Sequence, residues 1–433
     1  MGGVRRYLAL FATATFLLAA CSGSSASTRP TTPSGAPATT RATARGTTAP
    51  SSAATAKASS GGTTGTSEAG SPAASSSDSA SAASLGSASP GSRAAGSPAK
   101  VSLQLQWYPQ AQFAGYFAAK EQGYYQAENI DVNIIGGSGT IAPQIVGSVA
   151  TGPEFVVAWV PKVLQAREVA GAEQLVDIAQ IFQRSGTLSV SWKSSNITKP
   201  ADFKGKKVGV WDFGNEFEVT AGAKKAGLEQ GTDYTKYIQD FDMTMLLSKQ
   251  IDVAEAMIYN EYAQLLESLN PDTGELVKPT NLNVINWNDV GTAMLQDAVF
   301  ARESWLKQPG HEDVAIRFLR ASFKGWIYCR SNPEDCVQYT INAGAKLGAG
   351  HQRWMMNEVN PLVWPSPNGI GAVDPVLWKQ TVDTSVAAGI IKAAPSPGAY
   401  RTDLAAKALE GVTDDTKGTD FKKGSVEVTP GGF

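Results

Sequence analysis

The stretch Val101–Gly139, VSLQLQWYPQAQFAGYFAAKEQGYYQAENIDVNIIGGSG, constrains the fold more than any other. Leu103 and Leu105 alternate with Gln104 and Gln106, the period of a strand. Trp107 and Tyr108 follow, and Pro109 interrupts regular pairing. Phe113 to Ala119 is apolar and helix-compatible, and Gly123 stands where a C-cap glycine would. Asp131 to Ile135 reads as a second strand, and Gly136-Gly137-Ser138-Gly139 as a flexible loop. The whole is a β-α-β unit. In open α/β sheets, ligands bind outside the carboxyl ends of the strands. Trp107, Tyr108, Gly137 and Ser138 are therefore expected along one wall of a small-molecule cleft. The glycine loop follows the second strand and lacks the full dinucleotide spacing.

The same juxtaposition recurs downstream. Phe155 to Trp159 is a continuous apolar run of the kind buried in a parallel sheet, and Lys162 to Ala170 reads as a helix. Leu175 to Phe182 and Thr187 to Trp192 are further strands. Asp202 opens a polar turn into a strand that ends at Trp211. A helix follows from about Glu216 to Lys225, with Asn215 as its candidate cap. Another strand ends in Tyr259-Asn260-Glu261-Tyr262. Glu312 to Tyr328 is strongly amphipathic, and its apolar stripe is read as core. Strands alternating with helices imply an α/β fold.

A flat heteroaromatic ligand needs stacking faces and a few oriented polar partners. Trp107, Tyr108, Tyr116 and Trp159 are candidate faces from the first half, and Trp211, Phe213 and Tyr259 from the second. Glu261 is a candidate acceptor for an exocyclic amine, while Asn215 and Asn260 can donate and accept. Each has a plainer reading. A strand-end tryptophan is also what a core or rim residue looks like. Tyr116 lies on a helix and suits a core equally well. Gly136 to Gly139 suits a simple turn, and Glu216 suits a first-turn charge favoured by the helix dipole. His311 and His351 are read as surface or structural.

The N-terminus points to export. Arg5 and Arg6 precede an apolar run from Tyr7 to Leu18, the layout of a secretory signal peptide. Leu18-Ala19-Ala20-Cys21 matches a bacterial lipobox, which would make Cys21 a lipidated residue; the alternative is an ordinary signal peptide with a chance cysteine. Residues 22–100 are Ser, Ala, Thr, Gly and Pro almost throughout, and cannot bury enough surface to offset the entropy of ordering. We expect a disordered tether, with a root-mean-square span of about 50 Å for a flexible coil of this length.

The rest of the chain is long enough for two lobes with substantial cores. A formal net charge of −2 and the lack of a basic stripe argue against a nucleic-acid partner. Only three cysteines occur. Cys329 and Cys336 flank Asn332-Pro333, which looks like an N-cap followed by proline at the first helical position. In an exported protein a disulfide across that corner is expected, two buried thiols being the alternative. With two histidines in the chain, no metal site or cofactor is expected. No Ser-His-Asp arrangement or Gly-x-Ser-x-Gly elbow is readable, so the chain is not expected to be an enzyme.

Taken in order, several blocks resemble a known family. They are Leu105-Gln-Trp-Tyr-Pro109, Gln112-Phe-Ala-Gly-Tyr-Phe117, Lys120-Glu-Gln-Gly-Tyr-Tyr125, Gly136-Gly-Ser-Gly139, Lys204-Gly-Lys-Lys-Val-Gly-Val210 and Val253 to Tyr262. They are similar to ABC-importer solute-binding proteins, nearest to the thiamine-pyrimidine-precursor and riboflavin binders and related to alkanesulfonate and nitrate binders. The resemblance covers about Lys100 to Gly389. It implies a two-lobed, periplasmic-binding-protein-like α/β fold of type II, with hinge strands near Thr187–Trp192 and Asp297–Ala301. It also implies a polar residue near Glu261 for an aminopyrimidine. The expected segments are 1–21 signal peptide and lipobox, 22–100 tether, 101–186 first lobe, 187–300 second lobe with hinge strands, 301–394 helical return to the first lobe, and 395–433 a loosely packed extension. The implied protein is a monomer, anchored by lipid to the outer face of the cell membrane, that hands a small-molecule ligand to an ABC permease. Eukaryotic relatives that synthesise the thiamine pyrimidine use a cysteine-rich motif, which the folded lobes lack. Arg184, beside a first-lobe strand end, keeps a sulfonate ligand open.

Overall fold

The computed structural model describes residues 96–432. The signal peptide, Cys21 and nearly all of the expected tether lie outside the described residues.

The strands are β1 Ala99–Gln104, β2 Ile130–Ile135, β3 Phe155–Ala158, β4 Leu175–Gln180, β5 Thr187–Trp192, β6 Lys207–Val210, β7 Thr235–Ile238, β8 Ala254–Met257, β9 Leu282–Asn286 and β10 Ala298–Arg302. The first sheet has the order β2-β1-β3-β10-β4. β1 runs parallel to β2 and β3, and β10 is antiparallel to β3 and β4. In the other half, β5 lies between β8 and β9, antiparallel to both. β6 pairs with β7 in parallel, and a bridge from Val208 to Val253 joins that pair to the start of β8. The five-stranded sheet builds one half and the β5 and β6 sheets the other, giving the two lobes; the largest buried cluster also takes in Trp211, Met257 and Tyr259.

β3 is buried at every position, as its unbroken apolar sequence requires in a sheet covered on both faces. β5 and β10, expected at the hinges, are interior strands of their own sheets. The chain passes between the sheets beside them, in residues 181–186 and 287–297. A buried interior strand and a crossing strand have the same apolar composition, so pattern does not separate them.

Helices cover the first sheet. Ala114–Glu121 packs on His311–Ser331. A Cβ at Gly325 would fall 2.0 Å from the carbonyl oxygen of Gly115, so this contact depends on glycine. Cys329 and Cys336 are joined by a disulfide with Cα atoms 5.6 Å apart, tying His311–Ser331 to the helix Pro333–Asn342.

The C-terminal extension is not loosely packed. Ala399 O accepts from Asp177 N–H at 3.0 Å, and Asp177 O from Arg401 N–H at 2.8 Å, so this segment lies along β4. Leu404, Ala405 and Ala408 of the helix Asp403–Leu409 are buried. The tail then crosses the molecule. Ser366 N–H donates to Lys417 O at 2.8 Å, Lys423 Nζ to Glu358 Oε2 at 2.6 Å, and Gly431 N–H to Glu267 O at 2.9 Å. Small apolar residues and main-chain bonds hold it, and neither leaves a strong periodic signature.

Candidate functional site

The carboxyl ends of strands from both halves open on one cleft. Trp107 follows β1, and Trp159 follows β3 as the N-cap of the helix Val160–Ala166. Trp211 follows β6, and Tyr259-Asn260-Glu261 follow β8 into the helix Glu261–Glu267. The space between them is about 720 Å³, including its open mouth. Trp107, Ser138, Trp159, Trp211, Asn215, Tyr259, Asn260 and Glu261 line it, together with Phe213. Phe213 has φ 65°, a left-handed backbone that is rare for a bulky residue and typical of functional sites, and is 67% exposed.

Four expected site residues lie elsewhere. Tyr116 is buried edge-on to Trp326, with ring centroids 5.8 Å apart, so packing against His311–Ser331 makes it core. Tyr108 stands edge-on to Trp107 at 5.3 Å, with Lys346 Nζ 3.9 Å from its ring centroid, outside the cleft lining. Gly137 lies behind the wall, where its N–H donates to Trp107 O at 2.7 Å. A Cβ there would come within 2.7 Å of the Leu105–Trp107 backbone. Glu216 accepts from Gly214 N–H at 2.9 Å beside the start of the helix Phe217–Lys225, just behind the lining residues. Burial pushes its carboxyl above the usual range.

Sequence reasoning missed Phe241, Lys162 and the glutamines. Phe241, in the loop after β7, sits across the mouth, 4.3 Å from the Trp107 ring and stacked at 5.8 Å and 17° on Trp211. A lone aromatic in a loop gives no pattern to detect. Gln106, Gln110, Gln112 and Gln144 also line the space. The run of glutamines around Trp107 was visible, and Gln106 continues the alternation begun in β1. Gln144 is buried, and its Oε1 has no hydrogen-bond partner among the described residues.

Ionisable groups brace the aromatic walls. Asp297 accepts from Trp159 Nε1 at 2.9 Å and from Gln112 Nε2 at 2.8 Å. Burial pushes its carboxyl up to about 7, those hydrogen bonds opposing the rise. Glu255 accepts from Trp211 N–H at 2.8 Å, and Trp211 Nε1 donates to Asp240 O at 3.2 Å. Lys162, on the first-lobe helix Val160–Ala166, donates to Asn215 Oδ1 at 2.6 Å across the cleft and lies 4.6 Å over the Trp159 ring. Burial pushes its ammonium down to about 8, opposed by Glu216, Asp297 and Glu255. Glu261 accepts from Met257 N–H at 2.9 Å and from Asn260 Nδ2 at 2.8 Å, and burial pushes its carboxyl up to about 7. Flat apolar faces with an amide and carboxylate edge suit a planar ligand that carries N–H donors. Among the described residues no group of three or more His, Cys, Asp or Glu side chains is arranged to hold a metal ion.

Residues 110–336 match the family described as NMT1/THI5 like. The riboflavin-binding protein RibY of Chloroflexus aurantiacus is 26% identical over 307 residues, 68% of this chain and 82% of that protein. The formylaminopyrimidine-binding protein of Halalkalibacterium halodurans is 22% identical over 246 residues, 56% of this chain and 69% of that protein. The alkanesulfonate-binding protein SsuA of Xanthomonas axonopodis pv. citri, bound to MOPS, superposes with a TM-score of 0.52 at 14% identity, covering 71% of this chain and 99% of that one. The shared fold is the two-lobed fold of periplasmic binding proteins.

Proposed function

Because the chain belongs to the NMT1/THI5-like family, we propose that it is an extracytoplasmic solute-binding protein of an ABC importer. Its ligand is a small heteroaromatic vitamin or precursor, of the riboflavin or thiamine-pyrimidine class. The observation that carries this reading is the meeting of Trp107, Trp159, Trp211 and Tyr259, from four strand ends in the two halves, with the Asn260–Glu261 edge. The riboflavin and formylaminopyrimidine binders among its relatives support the same class. Closure of the lobes about residues 181–186 and 287–297 traps the ligand, expelling cleft water. The ligand is held, with no bond made or broken, and passes to a permease. Lipidation at Cys21 keeps the protein on the outer face of the membrane as a monomer.

A sulfonate is the second reading, favoured by Lys162 in the cleft and by the MOPS-bound fold relative. Against it, among the described residues Lys162 is the one cation lining the cleft, and no arginine joins it. Arg184 is occupied elsewhere, its guanidinium donating to Pro361 O and Pro365 O, each at 3.1 Å. Anion sites favour arginine forks.

Titration with riboflavin, an aminopyrimidine and a small alkanesulfonate tests the assignment. The expected result is quenching of tryptophan fluorescence and a raised melting temperature with a ring ligand. No response to any of the three would sink it, and turnover of a bound ring compound would replace it with an enzyme.

A further inference from the structure

Behind the cleft lies a chain of buried polar side chains that the aromatic walls do not explain. His351, on the helix Ala349–Val363, is fully buried and does not line the cleft. Its Nδ1 is 2.8 Å from Glu267 Oε2, and its Nε2 is 2.9 Å from Asn260 Oδ1. Asn260 passes the connection on, its Nδ2 donating to Glu261 Oε1 at 2.8 Å, while Gln264 Nε2 donates to Asn260 Oδ1 at 3.3 Å. Glu267–His351–Asn260–Glu261 therefore runs from the interior to the cleft lining, which Asn260 and Glu261 join as buried side chains.

The helix carrying His351 is fixed to both lobes. Trp354 Nε1 donates to Ile258 O at 3.4 Å, just past β8, and Gln352 Oε1 accepts from Ala111 N–H at 2.8 Å, just past the Trp107 wall. The other charged side chains on this helix are engaged elsewhere, Arg353 with Glu334 and Glu358 with Lys423.

An asparagine amide has two orientations of nearly equal shape, and its surroundings choose between them. Reversed, Asn260 would set Oδ1 against the Glu261 carboxylate and Nδ2 against the Gln264 amide, opposing acceptor to acceptor and donor to donor. The His351 ring adds a third constraint on the choice. With Asn260 Oδ1 facing it, Nε2 of the ring is the donor in this arrangement. A ring protonated at Nδ1 alone would leave Nε2 an acceptor and turn the amide, and Glu261 would then have to donate to it.

We propose that His351 is a positioning residue for ligand recognition: it holds Asn260 with its Nδ2 toward Glu261, so that the cleft offers an acceptor edge to an N–H-bearing ligand. The proposal rests on the cleft being the ligand site.

Two measurements on the full chain test it. The first labels histidine with ¹⁵N; the chain has only two histidines, and His311→Gln assigns the pair. The His351 ring is expected to carry a proton on Nε2, and that Nε2–H signal to move on saturation with riboflavin or an aminopyrimidine. A ring without a proton on Nε2 overturns the proposal, whether or not any probe binds. The second compares Kd for the same probes. His351→Leu is expected to lose at least tenfold, and His351→Gln, which can still donate toward Asn260, to recover part of it. Equal Kd for wild type and a folded His351→Leu overturns the proposal; if the Leu variant does not fold, the ring spectrum decides. If wild type binds neither probe, the ring-ligand reading fails, while the protonation pattern still reports on the Asn260 geometry.

Discussion

Trp107 and Trp211 are the same residue type at equivalent places, each just past a strand whose carboxyl end opens on the cleft. Their surroundings differ. Trp211 is 3% exposed, with its main-chain N–H on Glu255 and its indole N–H on Asp240 O. Trp107 is half-buried, and among the described residues its ring touches Tyr108 and Phe241 and its indole nitrogen makes no hydrogen bond. One wall is held before any ligand arrives, while the other is free to adjust. A clamp of this kind meets the ordering cost of binding in advance on one side only.

The largest expected effect tests the fixed wall. Trp211→Ala removes a buried indole and its hydrogen bond to Asp240 O, so chemical denaturation should show a loss of about 3–5 kcal/mol. An unchanged unfolding midpoint would mean that the two walls are alike. Trp107→Ala should do the reverse. Its unfolding midpoint should stay near that of wild type, while Kd for the ring ligand rises by roughly tenfold, the scale of about 0.5–1.5 kcal/mol for an aromatic pair. If affinity is untouched, Trp107 is rim and not wall.

Acidity sharpens the same contrast, because carboxylates are buried behind the fixed wall. Glu261 is pushed up to about 7 and Glu218 to about 8, both by burial, from an ordinary value of 4.5. A raised carboxyl favours the folded state fully below its unfolded pKa, and that contribution is lost as pH rises through the folded value. Melting temperature should therefore be higher at pH 5 than at pH 7.5. Glu218→Gln should flatten the slope. A melting temperature that rises steadily from pH 5 to 7.5 would contradict the burial argument. The smallest effect is expected for Gly137→Ala, whose Cβ crowds the Leu105–Trp107 backbone from behind. Affinity should fall by less than for Trp107→Ala, with stopped-flow fluorescence showing a changed dissociation rate.

What was readable in the sequence follows the same division. Strand ends announce themselves, because a strand has a period and an aromatic or polar residue breaks it; Trp159, Trp211 and Tyr259-Asn260-Glu261 were legible that way. Residues whose place depends on a distant partner were not. Tyr116 points to the core because His311–Ser331 packs over it at two glycines, and no local pattern records that. Phe241 reaches the cleft from a loop, and Asp297 serves it through the side chains of Trp159 and Gln112. His351 reads in the sequence as surface or structural; burial removes the first, and its link to Asn260 spans 91 positions in the chain.

The crossing tail has a consequence for water. Thr429 lies against Gly350 and Gly432 against Gly348, at the start of the helix that carries His351, while Gly431 bonds Glu267. These residues pack beside the buried Glu267–His351 contact, and a lift of the tail would open one route for solvent to it. Such a lift is local unfolding, less costly than melting the lobes. Exchange of the His351 ring protons with solvent would then act as a clock for the tail, counting its departures while the cleft and both sheets stay folded.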